Sequence, residues 1–264
     1  MKGIENTFDP GIDIRPVTNP MGFAYGSDVF GPQAELRRLD DIRGSLMNPR
    51  CEGPETVYAI AMDVGKRCHR RLLHELHLLY GVVTYAAGRL DREPVRSQGH
   101  IHRVSPRCGW STPEVYEIWS GKAIIYMQES DGDDPGRCFA VQAAPGDTVV
   151  VPPGWTHATV SASPDGPLTF GAWCDRDYGF IYDGVRRHGG IAWFPVFDGS
   201  GQIEWLANPA YRPSELTVKP PGSYETLGIR HGTPIYTLFE GSPDTFRFVS
   251  NPQIREEVWN GFVP

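Results

Sequence analysis

The spacing of hydrophobic residues changes character at about residue 81. Before that point, leucines at 72, 73, 76 and 79 follow a helical repeat and predict a helix over 67–79. After it, short runs rich in Val, Ile, Tyr and Trp alternate with turn residues, which is typical of a β-sandwich or barrel. These runs are 81–86, 114–119, 122–128, 138–142, 147–152, 158–162 and 168–173.

The segments on either side of these runs complete the predicted organisation. The further predicted elements are a short helix at 33–39, a strand at 57–62, a hairpin formed by 191–197 and 202–206, and a short helix at 252–259. We expect one barrel domain over 1–213, with N-terminal strands and a helix, whose motif core covers about 81–175. Residues 214–264 are expected to form a C-terminal extension that packs on the barrel, with a second small domain as the alternative.

Composition and charge narrow the class of protein. Glycine (30) and proline (24) make up about a fifth of the 264 residues, and this many turns favour short strands over a helical bundle. The net charge of −7 and the lack of a basic run argue against nucleic-acid or anionic-membrane partners. No apolar run approaches the roughly 18 residues of a membrane span, and the first seven residues lack a signal-peptide core. Five cysteines without a C-x-x-C pair favour a reducing compartment, so we expect a cytoplasmic protein.

The candidate chemistry begins at Gly99-His100-Ile101-His102. Side chains alternate along a strand, so two histidines two residues apart point to the same face. The run that begins at Glu114 carries two glutamates. The same alternation places Glu114 with Tyr116 on one face and Glu117 on the other.

These residues resemble the two motifs of the cupin superfamily. The first is His-x-His followed by Glu114 and a glycine, Gly121, and the second is Gly146, Pro152, Gly154 and His157. Two departures stand out: residues 103–113 lengthen the gap inside the first motif, and Ser161 replaces a frequent asparagine. The resemblance implies an all-β cupin fold, a double-stranded β-helix or jelly-roll barrel with a few short helices and the C-terminal extension. It also implies one divalent transition metal ion, Fe, Mn, Ni or Zn, bound by His100, His102, Glu114 and His157, a donor set that suits such ions.

Within the cupins, four strings resemble the archaeal and bacterial glucose-6-phosphate isomerases of cupin type, over about residues 20–212. The strings are Gly99-His100-x-His102, Glu114-Val115-Tyr116, the residues from Val151 to Val160, and Asp177-Tyr178-Gly179. The resemblance implies interconversion of glucose 6-phosphate and fructose 6-phosphate. It assigns Glu114 as both metal ligand and proton carrier, and Tyr116 as a second catalytic residue.

The same resemblance implies contacts to the sugar phosphate. Ser97 and Gly99, just before His-x-His, and Thr84 upstream are the expected phosphate-binding residues. Arg176 stands where archaeal members have a histidine, and it is a further candidate because guanidinium groups bind phosphate well. Arg96 and Arg103 are candidates for the same reason.

Other functions remain open at this point. The same ligands would serve a cupin dioxygenase, an isomerase of another sugar or sugar phosphate, or a non-catalytic sugar-binding cupin. A proton transfer and a direct hydride shift both remain possible for the isomerase. The expected partner is a small sugar phosphate, with no nucleic acid and no membrane, and a homodimer is possible by analogy with other cupins.

Overall fold

The computed structural model describes residues 7–264, which are built mainly of β-strands. The strands are β1 Ile14–Thr18, β2 Met21–Tyr25, β3 Val29–Phe30, β4 Glu35–Arg38, β5 Thr56–Met62, β6 Gly65–Lys66, β7 Leu78–Tyr85, β8 Arg89–Leu90, β9 Glu93–Pro94, β10 Ile101–His102, β11 Glu114–Ser120, β12 Ala123–Gln128, β13 Cys138–Ala143, β14 Thr148–Val151, β15 Thr156–Ser161, β16 Leu168–Asp175, β17 Phe180–Ile181, β18 Trp193–Phe197, β19 Ile203–Ala207 and β20 Leu216–Lys219. The α-helices are α1 Leu39–Ile42, α2 Arg70–Glu75, α3 Asp183–Arg187, α4 Ile235–Gly241, α5 Arg247–Ser250 and α6 Glu256–Trp259. Short 3₁₀ helices occupy Arg43–Ser45, Arg67–His69, Glu225–Leu227, Pro243–Phe246 and Pro252–Arg255.

Two sheets enclose the main hydrophobic core. One has six strands in the order β14-β11-β16-β7-β5-β4, and the other has four in the order β15-β12-β13-β20. Neighbouring strands are antiparallel except β13 and β20, which are parallel. Side chains from both sheets, such as Ile118, Ile125 and Phe170, belong to one buried cluster. The expectation of an all-β cupin barrel with a few short helices is confirmed.

The C-terminal residues cover the outer face of the six-stranded sheet. After β20 completes the edge of the four-stranded sheet, the chain passes to the other sheet, where Tyr236, Phe239 and Phe246 stack around Trp173. Strands β7 and β16 are consequently buried on both faces along their whole length. This double burial explains why their sequences are almost continuously hydrophobic rather than alternating.

The helix predicted at 33–39 is wrong. Residues Glu35–Arg38 form β4, which pairs with β5 at the edge of the six-stranded sheet, and the helix α1 begins only at Leu39. The pairing partner is about twenty residues away in sequence, so a local helical pattern cannot reveal it. Hydrogen bonds to a neighbouring strand outweigh the weak helix preference of this segment.

The helix predicted at 67–79 is only partly right. A 3₁₀ turn leads into α2, which ends at Glu75, and His77 adopts a left-handed conformation with φ of 57°. Leu72 and Leu76 pack against the cluster on the outer face, whereas Leu79 is the second residue of β7 and faces the barrel core. The four leucines that follow one helical spacing in the sequence therefore lie in a helix, a turn and a strand.

The remaining short elements agree with the sequence. The predicted hairpin is formed by β18 and β19, and residues 252–259 are helical as a 3₁₀ turn followed by α6. Among residues 7–264, no helix is both long and apolar enough to cross a bilayer. All five cysteines carry free thiols.

Candidate metal centre and its pocket

Backbone pairing brings two of the histidines face to face. His100, just before β10, exchanges two backbone hydrogen bonds with His157 of β15, with N···O distances of 3.0 and 2.9 Å. The approach requires Gly99, which has a φ of 92°, and a Cβ there would lie 2.7 Å from a methyl carbon of Ile191. A glycine is the residue that combines this backbone conformation with this close packing.

His100, His102, Glu114 and His157 converge on one point. Their potential ligand atoms all lie within 4.8 Å of one another. Oε2 of Glu114 lies 3.4 Å from Nε2 of His102 and 3.2 Å from Nε2 of His157. Glu114 is the first residue of β11, and Glu117 lies on the opposite face, where it contacts Trp119 and the backbone of Ile235.

The hydrogen bonds behind the rings set the tautomers in a way that suits a metal ion. Nδ1 of His102 lies 2.8 Å from the carbonyl oxygen of Thr112, and Nδ1 of His157 lies 3.1 Å from that of Trp155. Because a carbonyl only accepts, each Nδ1 carries a proton, and Nε2 is the ring atom that faces the cluster. Nε2 of His100 and of His102 are buried without a hydrogen-bond partner in the described chain, as expected of ligand atoms.

Burial and mutual contacts shift the pKa values of this cluster. Burial would raise the pKa of the Glu114 carboxyl, but hydrogen bonds and charge from His102 and His157 hold that pKa well below its usual range. Burial, reinforced by His157 and His102, holds the pKa of His100 well below its usual value. Burial acts to lower the pKa of His102, yet contacts with Glu114 leave it raised. The cluster thus presents an ionised carboxylate and at least one neutral imidazole.

A second layer of side chains holds the Glu114 carboxylate. The Tyr116 hydroxyl donates to Oε2 at 2.7 Å, and the Cys174 thiol donates to Oε1 at 3.1 Å. Burial and the nearby Glu114 charge raise the pKa of Tyr116 well above its usual value, so the phenol keeps its proton. Both carboxylate oxygens are therefore oriented by protein donors.

A pocket opens beside the cluster, and much of its lining is polar or aromatic. His100, Glu114 and Tyr116 form one wall. The other polar or aromatic lining residues are Tyr58, Tyr85, Ser97, Gln98, Thr159, Phe170, Phe180 and Tyr182. Hydroxyl and amide groups of this kind are suited to binding a sugar.

Comparison with known proteins identifies the family. The family described as Glucose-6-phosphate isomerase (GPI) matches residues 50–212, which is more than half of the chain. The chain belongs to this family. The match begins at residue 50 rather than at about residue 20, where the motif resemblance was expected to begin.

Several curated relatives carry the same name. The chain is 25% identical over 191 residues to the glucose-6-phosphate isomerase of Pyrococcus furiosus, covering 70% of this chain and 91% of that protein. It is 26% identical to the enzyme of Thermococcus litoralis, covering 70% and 90%. It is also 29% identical over 135 residues to a putative glucose-6-phosphate isomerase 1 of Rhizobium meliloti, covering 51% of this chain but 58% of that protein.

This chain is similar to parts of several solved structures. The match to an oxalate oxidase covers 47% of this chain and 54% of that protein, with 15% sequence identity and a TM-score of 0.36. The match to the oxalate decarboxylase of Bacillus subtilis covers 50% of this chain and 29% of that protein, with 18% sequence identity and a TM-score of 0.35.

The residues predicted for phosphate binding in this glucose-6-phosphate isomerase family member are dispersed. Ser97 lines the pocket, and Gly99 lies in the chain between two other lining residues, Gln98 and His100. Thr84 lies with Thr169 on the outer face of the six-stranded sheet, because it alternates with Val83 and Tyr85, which face the pocket. The structure therefore does not bring Thr84 to the pocket.

The three candidate arginines make their contacts elsewhere. Arg176 donates to Asp63 and to the carbonyl of Leu78, outside the pocket. Arg96 is fully buried and pairs with Glu93, and one of its Nη atoms donates to the Ser97 carbonyl, supporting the strand that leads to the histidines. The backbone N–H of Arg103 donates to the carbonyl of residue 179, so Arg103 lies on the insertion rather than in the pocket.

Two arginines missed by sequence reasoning interact with residues that line the pocket. Nε of Arg186 donates to the Gln98 side chain at 2.9 Å, and its guanidinium lies over the Tyr182 ring. Burial acts to lower the pKa of Arg37, but the neighbouring Tyr58 and Tyr182 leave it raised. No motif marks these arginines, since α3 and β4 are far from the histidines in sequence. Strand alternation could have found Cys174, which follows Phe170 and Ala172 on the inner face of β16.

Proposed function

We propose that this chain is a metal-dependent aldose–ketose isomerase that interconverts glucose 6-phosphate and fructose 6-phosphate. One divalent transition metal ion, Fe, Mn, Ni or Zn, would be held by His100, His102, Glu114 and His157. The observation that carries the proposal is the convergence of three imidazoles and one carboxylate beside a pocket that also presents hydroxyl and amide groups, in a member of the glucose-6-phosphate isomerase family.

The residues of the site suit proton relocation between two carbons. In the proton-transfer route, the carbonyl moves between C1 and C2 as a proton leaves one carbon and is returned to its neighbour, while the hydroxyl proton passes from one oxygen to the other. A bound divalent cation supplies charge stabilisation for the sugar oxygens. Glu114 carries the proton, because its environment keeps the carboxylate ionised and it lines the pocket. Tyr116 positions that carboxylate through its hydrogen bond to Oε2.

The phosphate group requires a second anchor away from the carbonyl end of the sugar. Ser97, the Gly99 backbone and Gln98 form one part of that anchor, with Arg186 bonded to Gln98 at 2.9 Å. Arg37, beside two pocket tyrosines, supplies a further positive charge. Charge-assisted hydrogen bonds of this kind are about twice as strong as neutral ones, so they would select a phosphorylated sugar. Thr84 and Arg176 face other parts of the molecule and are left out of this anchor.

The experiment removes metal with a chelator and then restores Fe²⁺, Mn²⁺, Ni²⁺ or Zn²⁺ singly. Isomerisation of fructose 6-phosphate is expected to vanish with the metal and to return with at least one ion. In His157→Ala, metal affinity should fall at least about tenfold, since even changes behind the ligands cost that much. The matched control is His74→Ala, a change at an exposed histidine outside the site.

Three outcomes would contradict the proposal. Full metal occupancy and normal turnover in His157→Ala would remove the metal assignment. Equal kcat/KM for fructose and fructose 6-phosphate would remove the phosphate anchor and favour a free-sugar isomerase. Oxygen consumption on another compound, with neither sugar isomerised, would instead identify a cupin dioxygenase.

A further inference from the structure

A second group of metal-ligating side chains lies where β7 begins and β16 ends. It consists of His77, Asp175 and Asp177, whose potential ligand atoms all lie within 4.8 Å of one another. Nε2 of His77 lies 3.7 Å from Oδ1 of Asp175 and 3.1 Å from Oδ2 of Asp177. We infer that these three residues form a second binding site for a divalent cation.

The strongest sign of a missing ligand is the Asp175 carboxylate. Its side chain is only 1% exposed, and neither carboxylate oxygen accepts a hydrogen bond of ordinary geometry. A buried carboxylate normally has hydrogen-bond partners or a cation, because the ionised group is strongly disfavoured when it is buried without either. Oδ1 is directed toward His77, into the space shared by the three side chains.

A simple His–Asp ion pair accounts poorly for the geometry. Nε2 of His77 is buried and has no well-formed hydrogen bond, although the Asp177 oxygen is 3.1 Å away. His77 also holds a φ of 57°, which non-glycine residues seldom adopt without a local reason. Its carbonyl accepts the N–H of Arg176 at 3.0 Å, which fixes this residue beside the two aspartates.

The donor set indicates the class of cation. One imidazole nitrogen and two carboxylate oxygens suit a first-row divalent ion such as Zn²⁺ or Mn²⁺, rather than a soft ion that prefers sulfur. The side chains of His77 and Asp177 are 20% and 29% exposed, so the open side can accept water ligands. Three protein ligands with an open side match the coordination numbers of these ions.

The position of the site gives it a structural task. The Ser105 hydroxyl donates to Asp177 at 3.2 Å, and the N–H of Arg103 donates to the carbonyl of residue 179 at 2.7 Å. Both belong to the 103–113 insertion, which also presents the Thr112 carbonyl to His102. The second cation therefore secures the base of the segment that orients a ligand of the first centre, and its three ligands are positioning residues for that centre.

The test counts metal ions per chain in protein that has been stripped with chelator and titrated with Zn²⁺ or Mn²⁺ at concentrations near that of the protein. The native chain should bind two ions, His157→Ala should retain one, and Asp175→Asn should lose one with an affinity loss of at least about tenfold. The matched control is Asp63→Asn, a neighbouring aspartate that pairs with Arg176 and lies outside the cluster. It should still bind two ions.

The inference is overturned if His157→Ala binds no ion, or if Asp175→Asn binds as many as Asp63→Asn. Asp177→Asn, at a half-buried position, repeats the test should Asp175→Asn fail to fold. The count does not depend on the proposed isomerase. If the chain lacks the first site, the native chain and His157→Ala bind one ion each and Asp175→Asn binds none. If the chain lacks the second site, the native chain and Asp175→Asn bind one ion each and His157→Ala binds none.

Discussion

Glu114 and Glu117 lie on the same strand, β11, and both are buried, at 7% and 1% exposure, yet their surroundings drive them to opposite charge states. Glu114 faces the barrel interior, where His102 and His157 hold its pKa well below the usual range. Glu117 faces outward beneath the C-terminal extension, where burial raises its pKa to about 8. Its donors are the Ile235 backbone and the Trp119 indole, and neither carries a charge.

The comparison shows that burial alone does not make a carboxylate reactive. Burial raises the pKa of both carboxyls, and at Glu114 the hydrogen bonds and charge of two histidines reverse the shift. The outer glutamate instead serves the fold, because it accepts the N–H of Ile235, the first residue of α4, at 2.7 Å. The first N–H groups of a helix have no partner within the helix, so Glu117 satisfies one of them from the barrel.

The largest expected effect separates the two glutamates by activity. Glu114→Gln removes a proposed metal ligand and the proton carrier, so turnover of fructose 6-phosphate should fall about 10²–10⁴-fold. Glu117→Gln should change turnover by no more than a few fold, because that side chain faces away from the pocket. Steady-state kinetics on both variants checks this ranking. A larger loss in Glu117→Gln would mean that the wrong face of β11 has been assigned to the chemistry.

The next prediction tests whether the outer face is purely structural. Phe239 is fully buried against Trp173, with ring centroids 4.7 Å apart. Phe239→Ala should lower the free energy of unfolding by about 3–5 kcal/mol, as measured by urea denaturation, while leaving the metal content unchanged. Ile254→Ala, at a residue 43% exposed, is the control and should cost much less. Similar losses in the two variants would show that the extension does not stabilise the barrel through this cluster.

The last prediction concerns pH. Below its ordinary pKa of 4.5, Glu117 is protonated in both the folded and the unfolded chain. Between 4.5 and about 8 the unfolded chain releases a proton that the folded chain keeps, so stability falls by about 1.4 kcal/mol per pH unit from this group. Above about pH 8 the loss is complete.

Glu117→Gln removes this titration. The unfolding free energy of the variant should therefore rise relative to that of the native chain as the pH increases from 5 to 8. Urea denaturation at several pH values measures the difference. Glu257→Gln, at an exposed position in α6, should follow the native profile. Parallel profiles for Glu117→Gln and the native chain would contradict the raised pKa.

Local sequence patterns predicted a large part of the fold. Short β-rich runs between turns predicted the barrel strands, and the two cupin motifs predicted that His100, His102, Glu114 and His157 would meet. Alternation along β11 also predicted that Glu114 and Glu117 lie on opposite faces of the strand. Such features depend on the periodicity of side chains, which can be read from the sequence itself.

Other features depend on which distant segments pack together, and these only the tertiary structure decided. Pairing with β5 makes Glu35–Arg38 a strand, and pairing of β7 with β16 places Thr84 beside Thr169 on the outer face. Arg37 on β4 and Arg186 on α3 lie beside residues that line the pocket, and His77 lies near Asp175, nearly a hundred residues away in sequence. The sequence by itself determined which residues could bind a metal and on which face of a strand they lie. The burial and neighbours that set their charge, and hence their chemistry, came from tertiary contacts, because electrostatic energies depend on distance and solvent exclusion rather than on position in the chain.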